Sequence, residues 1–181
     1  MQVYNSEADL VADNVAQTVS LASGFFGTYF AVDNGVIYGR TSSTGTGVAR
    51  WDANTGSILE TRASIPRMGG SNGAHTFNRG AFSGVNWMND ITGLYLKGRN
   101  STGADWQINT MTPGDLSTIA STAKFMPPTS LSQLGYAFVI NGTMFLGAAH
   151  NTDLVSMAVY TMTGALSTVN FTLTGMGTLF L

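Results

Sequence analysis

The chain has 181 residues, no cysteine and a net charge of −2. That length suffices for a buried core without covalent staples, and the missing cysteines exclude disulfides and thiolate metal sites. Charged residues make up only 10%, against roughly 25% in an average soluble protein.

The surface polarity must therefore come from Ser, Asn and above all from 23 Thr and 22 Gly. Low charge also means weak self-repulsion, so close association of copies or partners carries little electrostatic penalty. The basic residues Arg40, Arg50, Arg62, Arg67, Arg79, Lys97, Arg99 and Lys124 are scattered singly, without a cluster interleaved with aromatics. That pattern argues against nucleic-acid binding.

In chain order, "MQVYNSEADLVADNVAQTVSLASG" comes first. It has acids where a secretory signal has Lys or Arg, and its apolar runs are short. The expectation is neither a signal peptide nor a membrane span, and no later segment reaches the length of a transmembrane helix. Val11, Val15 and Val19 fall four apart, which suits one helical stripe. Ser6 with Asp9 resembles a capping box in which Asp replaces Glu or Gln. The same stretch can equally lie extended along a neighbour, so residues 1–24 are read as an arm.

Residues 25–181 read as a β domain. "FAVDNGVIYG" is two apolar runs split by Asp33-Asn34-Gly35, and "FVINGTMFLG" repeats the device at Asn141-Gly142. Asn and Gly accept the positive φ of a type I′ hairpin turn. "RTSSTGTGV" and "RNSTGAD" are expected as wet turns between a second and a third strand. In "VARWDANTGSILE", Asp52 to Gly56 makes the next turn and Ile58-Leu59 begins a return strand. "DLSTIASTAKF" is the only later stretch with a helical look, ended by Pro127-Pro128. The tail "STVNFTLTGMGTLFL" is apolar to its last residue and is expected to be buried, as a last strand or against another chain.

The same grammar recurs three times, over about 25–60, 80–119 and 134–172. Each copy runs from a hairpin through a long turn to an aromatic strand end and a Gly; the middle copy is the loosest. "TMTPGDLSTI" and "TMTGALSTV" are the plainest echo, and the closing glycines are Gly56, Gly114 and Gly164. This spacing is in or just above the range of four-stranded blade repeats. The expected fold is an all-β, repeat-built antiparallel domain with propeller-like blades. A β-trefoil or a β-sandwich is compatible with the same pattern. Three blades alone leave open sheet edges.

The chemistry is sparse. The acids Glu7, Asp9, Asp13, Asp33, Asp52, Glu60, Asp90, Asp105, Asp115 and Asp153 mostly stand beside Gly, Asn or Thr, where Asp serves turns. No pair is set up as in a glycosidase. His75 and His150 are two distant histidines without metal-ligand spacing. No G-x-S-x-G elbow, Walker loop or dinucleotide fingerprint is present, and "GTGV" at Gly45 reads as a hairpin tip. Asn100, Asn141 and Asn170 match the glycosylation pattern by coincidence in a Thr-rich chain. Trp51, Trp87 and Trp106 are expected in the core between sheets, and methionines such as Met157, Met162 and Met176 suit irregular core gaps. No catalytic, cofactor or metal residue is assigned, no cofactor is expected, and the chain is not read as an enzyme.

The Trp51-to-Gly56 turn, an aromatic followed by Asp-x-x-Thr-Gly, resembles the turn between outer strands in many β-propeller blades. With its low charge, Gly/Thr texture and β repeats, the chain also resembles virion proteins of tailed bacteriophages, such as tail, fibre, nozzle or head-decoration components. That resemblance implies a structural subunit assembled in the host cytoplasm into the virion. Its partners would be copies of itself and other virion proteins, met through β edges, apolar faces and the arm at 1–24. The alternative is a carbohydrate-binding module for host surface glycans, which needs exposed aromatics on one face.

Overall fold

Asn34 and Gly35 have φ of 45° and 74°, and Asn141 and Gly142 have φ of 48° and 68°. Two successive positive φ values define the tight hairpin turn whose twist matches its flanking strands. These turns organise the first and third of three four-stranded sheets in the computed structural model, which describes residues 1–22, 24–41, 47–65, 85–99, 106–125, 134–148, 154–161 and 166–172. His75, His150, Gly45, Arg67, Arg79, Asn100, Asp105, Asp153, Met162, Met176, Gly164, Pro127-Pro128 and the tail from 173 lie outside the described residues.

The described chain is all-β apart from one short helix. The N-terminal part holds β1 (Gln2–Val3), α1 (Glu7–Val11) and β2 (Gln17–Thr18), with β1 and β2 paired. The first sheet contains β3 (Phe26–Asp33), β4 (Val36–Arg40), β5 (Val48–Asp52) and β6 (Ile58–Arg62). The second contains β7 (Val85–Asp90), β8 (Gly93–Arg99), β9 (Trp106–Met111) and β10 (Ile119–Phe125). The third contains β11 (Leu134–Ile140), β12 (Thr143–Ala148), β13 (Leu154–Thr161) and β14 (Leu166–Thr172). Each is a four-stranded antiparallel meander in sequence order, the outcome expected when neighbours in sequence pair first.

The sheets meet through their first strands. β7 packs against β3 on one side and β11 on the other. The row β3–β7–β11 does not close into a ring among the described residues. Between the first and second sheets lie Ala31, Tyr38, Val48, Ile65, Trp87, Leu94, Leu96 and Met111. Between the second and third lie Met88, Tyr95, Ile108, Val139, Met144, Leu146 and Tyr160. Alternate residues of β8 thus serve two cores, as the two-residue period of a strand dictates.

Two local expectations need correction. The valine stripe does not form one helix: α1 ends at Val11 and Asp13 turns to a φ of 55°. The Ser6 hydroxyl does accept the Asp9 N–H at 3.1 Å, as an N-cap should. Val19 is buried, and its N–H donates to the Met1 carbonyl at 2.8 Å. Secondly, the helical look of "DLSTIASTAKF" is overridden. Ile119–Phe125 is β10, paired with β9, so that Ala123 lies opposite Ile108 against the core between the second and third sheets. Tertiary pairing outweighs the helix preference of Ala and Lys.

The segment before the first sheet is tied to that sheet. Leu21 and Phe25 cover Ile37, Ala49 and Trp51 on the sheet face away from the second sheet. The Trp51 indole donates to the Ala22 carbonyl at 3.0 Å, Ala22 N–H donates to the Gly56 carbonyl at 2.9 Å, and the Gln17 amide donates to the Asn54 carbonyl at 3.0 Å. Residues 17–22 and 24–25 therefore lie along their own chain. α1 stands clear of them, with Leu10 and Val11 exposed.

Candidate assembly interface

Most described carboxylates do structural work. Asp52 Oδ1 accepts the N–H groups of Asn54 and Thr55 at 2.9 and 2.8 Å, closing the β5–β6 turn. The hydrogen bonds from Thr55 and Asn54 hold the Asp52 carboxyl below its ordinary pKa. Asp115 accepts the Ser117 hydroxyl, the Thr118 hydroxyl and the Ser117 N–H in the β9–β10 turn, and these bonds hold its pKa well below the usual range. Glu60 receives Arg62 at 2.8 Å and Arg50 at 3.0 Å. Burial pushes its pKa up, but hydrogen bonds from Arg62, Arg50 and the Leu116 backbone outweigh that and leave it lowered. Among the described residues, no group of three or more His, Asp or Glu is placed to hold a metal ion. No described helix is long and apolar enough to cross a membrane.

Trp51 and Trp87 are buried, so neither offers a face for stacking on a sugar. Among the described side chains, the exposed aromatics are Phe30 and Phe138, and their positions follow from the strand register. In each sheet the first hairpin closes on an equivalent pair: Asp33 with Val36, Asp90 with Gly93, and Ile140 with Thr143. Two pairs further from the turn, the cross-strand rows are Ala31–Tyr38–Arg50, Met88–Tyr95–Thr110 and Phe138–Phe145–Val159. These three rows occupy the same position on the same face of their sheets.

Their burial differs sharply. Ala31 and Tyr38 are each 1% exposed, packed under the second sheet, and Met88 and Tyr95 are 6% and 3% exposed under the third. Phe138, at the equivalent place, is 37% exposed, and Ile140 on the same strand face is 53% exposed. Phe138 and Phe145 stack with ring centroids 5.2 Å apart and planes 12° from parallel. At this position on its first strand the third sheet thus exposes what the other two sheets bury.

At the other end of the row, the opposite face of the first sheet is only partly covered. Phe25 shields Trp51 and reaches Phe30, with centroids 5.5 and 5.7 Å away. Phe30 and Val32 on β3 nevertheless remain 47% and 42% exposed. The residues at the corresponding place in the second and third sheets are Trp87, which is buried, Asn89 and Val139. Asn89 donates to the Val32 carbonyl at 2.6 Å across the first junction.

Sequence reasoning missed these positions. A signal was present: "YAFVI" in β11 is apolar at every position, the mark of a strand meant to be covered on both faces. No protein-family model matches the sequence, and no curated protein matches it.

Proposed function

We propose that the chain is a structural subunit of a tailed-bacteriophage virion or tail assembly, and that its three meanders act as propeller-like blades. The observation that carries this reading is the exposed Phe138, set where the equivalent Ala31 and Met88 are buried in the other sheets, with the exposed Ile140 beside it on the same strand face. An apolar strip equivalent to two internal packing faces is the expected signature of an interrupted array. Propellers close with four to eight blades; two copies of this chain would supply six. The low charge, 10% of residues, keeps the electrostatic cost of such packing small. The outer strands β6 and β10, by contrast, carry Glu60, Arg62 and Lys124, which discourages edge-to-edge pairing there.

Light scattering of the purified chain tests the assembly part. A mass that is a fixed multiple of 19.1 kDa is expected, and a stable monomer at micromolar concentration would overturn it. Mass spectrometry of purified particles from an infected host tests the virion part, with stoichiometric recovery of the chain as the expected result.

A further inference from the structure

We infer that the surface of the third sheet carrying Phe138 and Ile140 is covered by a second copy of this chain, through the Phe30 and Val32 end of that copy's β3. The inference rests on the assembly reading above and specifies which surfaces meet.

The molecule itself shows twice what covers such a face. The row Ala31–Tyr38 is buried by the next sheet's Trp87 and Leu94, and the row Met88–Tyr95 by the next sheet's Val139 and Met144. In both cases the first strand of one sheet lies against the first strand of the next. After β11 the series has no further member among the described residues. The surface that repeats the covering role is the outer face of the first sheet, whose Phe30 and Val32 are exposed. Its distal part, Ile37 and Trp51, already lies under Leu21 and Phe25. The exposed apolar residues on its first strand are Phe30 and Val32, with Ile58 on β6, opposite Trp51, 39% exposed as well, and on the third sheet Phe138 and Ile140 are exposed on the matching strand, β11. The two strips are thus apolar and uncharged, and each lies on a first strand. Pairing them buries no ion. The contact is head-to-tail, since a face pairs with the opposite face of its neighbour, and such contacts form rings when the rotation closes.

Two exposed positions allow a test that does not disturb the fold, Ile140→Glu for the receiving face and Val32→Glu for the inserting face. Circular dichroism should match the parent chain for both. Each variant alone should show at least a tenfold weaker self-association by light scattering or analytical ultracentrifugation. An equimolar mixture should recover a two-copy species, because it contains one intact face of each kind. Val32→Glu assembling as well as the parent would overturn the pairing, whether the cause is face-to-face contact of two third sheets, the segment 173–181, or a neighbour's arm. Failure of the mixture to recover would overturn it too. A monomeric parent chain would instead defeat the assembly reading as a whole, so the two failures are distinguishable.

Discussion

The Asp90 carboxylate accepts the Gly142 N–H at 2.9 Å, so the first hairpin turn of the second sheet holds the first hairpin turn of the third. The other carboxylate oxygen accepts the Thr92 N–H at 2.8 Å within its own turn. One side chain therefore shapes a turn and fixes the spacing between two sheets.

Removing it should loosen that junction. Asp90→Ala leaves the Gly142 and Thr92 donors without their charged acceptor, a loss of about 1–2 kcal/mol, measurable by urea unfolding. Burial pushes the Asp90 pKa up, but the bonds from Thr92, Gly142 and Gly93 outweigh this and leave it lowered from 3.8. An acid with a lowered folded-state pKa stabilises fully above its ordinary value and loses that contribution as pH falls through the folded value. The parent should therefore lose stability on acidification below about pH 4 by more than Asp90→Ala does. Equal losses would remove Asp90 from the acid response.

Gly56 is the second test point. Its φ is 73°, and a Cβ built there would sit 2.1 Å from the Ser20 carbonyl oxygen. The left-handed backbone and the close approach of another main chain both require glycine. Gly56→Ala should cost at least about 2 kcal/mol. It should also unseat residues 17–22 from the first sheet, seen as faster proteolytic cleavage near Ala22. Unchanged cleavage would mean that the segment is held mainly by Leu21 and Phe25.

These contrasts show what the sequence makes legible. Asn34-Gly35 and Asn141-Gly142 declare their hairpins because the turn itself demands their chemistry. The middle hairpin misleads by one residue. Thr92-Gly93 looks like the counterpart of Asn34-Gly35, yet the turn is Ile91-Thr92 and Gly93 already pairs with Asp90. In a strand a one-residue slip exchanges the two faces. The correct register aligns Tyr38 with Tyr95 and Phe145, and Arg40 with Lys97. The scattered charges therefore gave no hint that Arg40 and Lys97 are both buried. The exposure of Phe138 and Ile140 on β11 was equally hidden, because exposure depends on the number of sheets rather than on any single strand.

The tryptophans provide a comparison. Trp51 Nε1 donates to Ala22, whereas the buried Trp87 Nε1 has no hydrogen-bond partner among the described residues. Both Trp→Phe changes remove similar volume from a core. Trp51→Phe also strands the Ala22 carbonyl, while Trp87→Phe removes a donor that already costs about 1–3 kcal/mol. Trp51→Phe should therefore be the more destabilising by about 1–2 kcal/mol in paired thermal or urea melts. Equal losses would show that ring volume alone decides. Both indoles should resist a soluble fluorescence quencher, and a glycan titration should leave their emission unchanged.

Lys97 supplies the sharpest pH prediction. It is fully buried and lies in register with Ile108, a member of the core between the second and third sheets. Burial pulls its pKa from 10.5 down to about 7, because a charged ammonium is poorly solvated there. The unfolded chain then binds more protons than the folded one between those two values. Stability should rise with pH across that window, with a slope approaching ~1.4 kcal/mol per pH unit from this group. The informative quantity is the difference between the parent and Lys97→Met, which isolates this group. The Met variant carries no ammonium into the core and should be the more stable of the two near pH 6. That advantage should shrink steadily from about pH 7 to pH 10. Parallel stability curves across that range would mean that Lys97 keeps its proton when folded, with its charge accommodated between the two sheets.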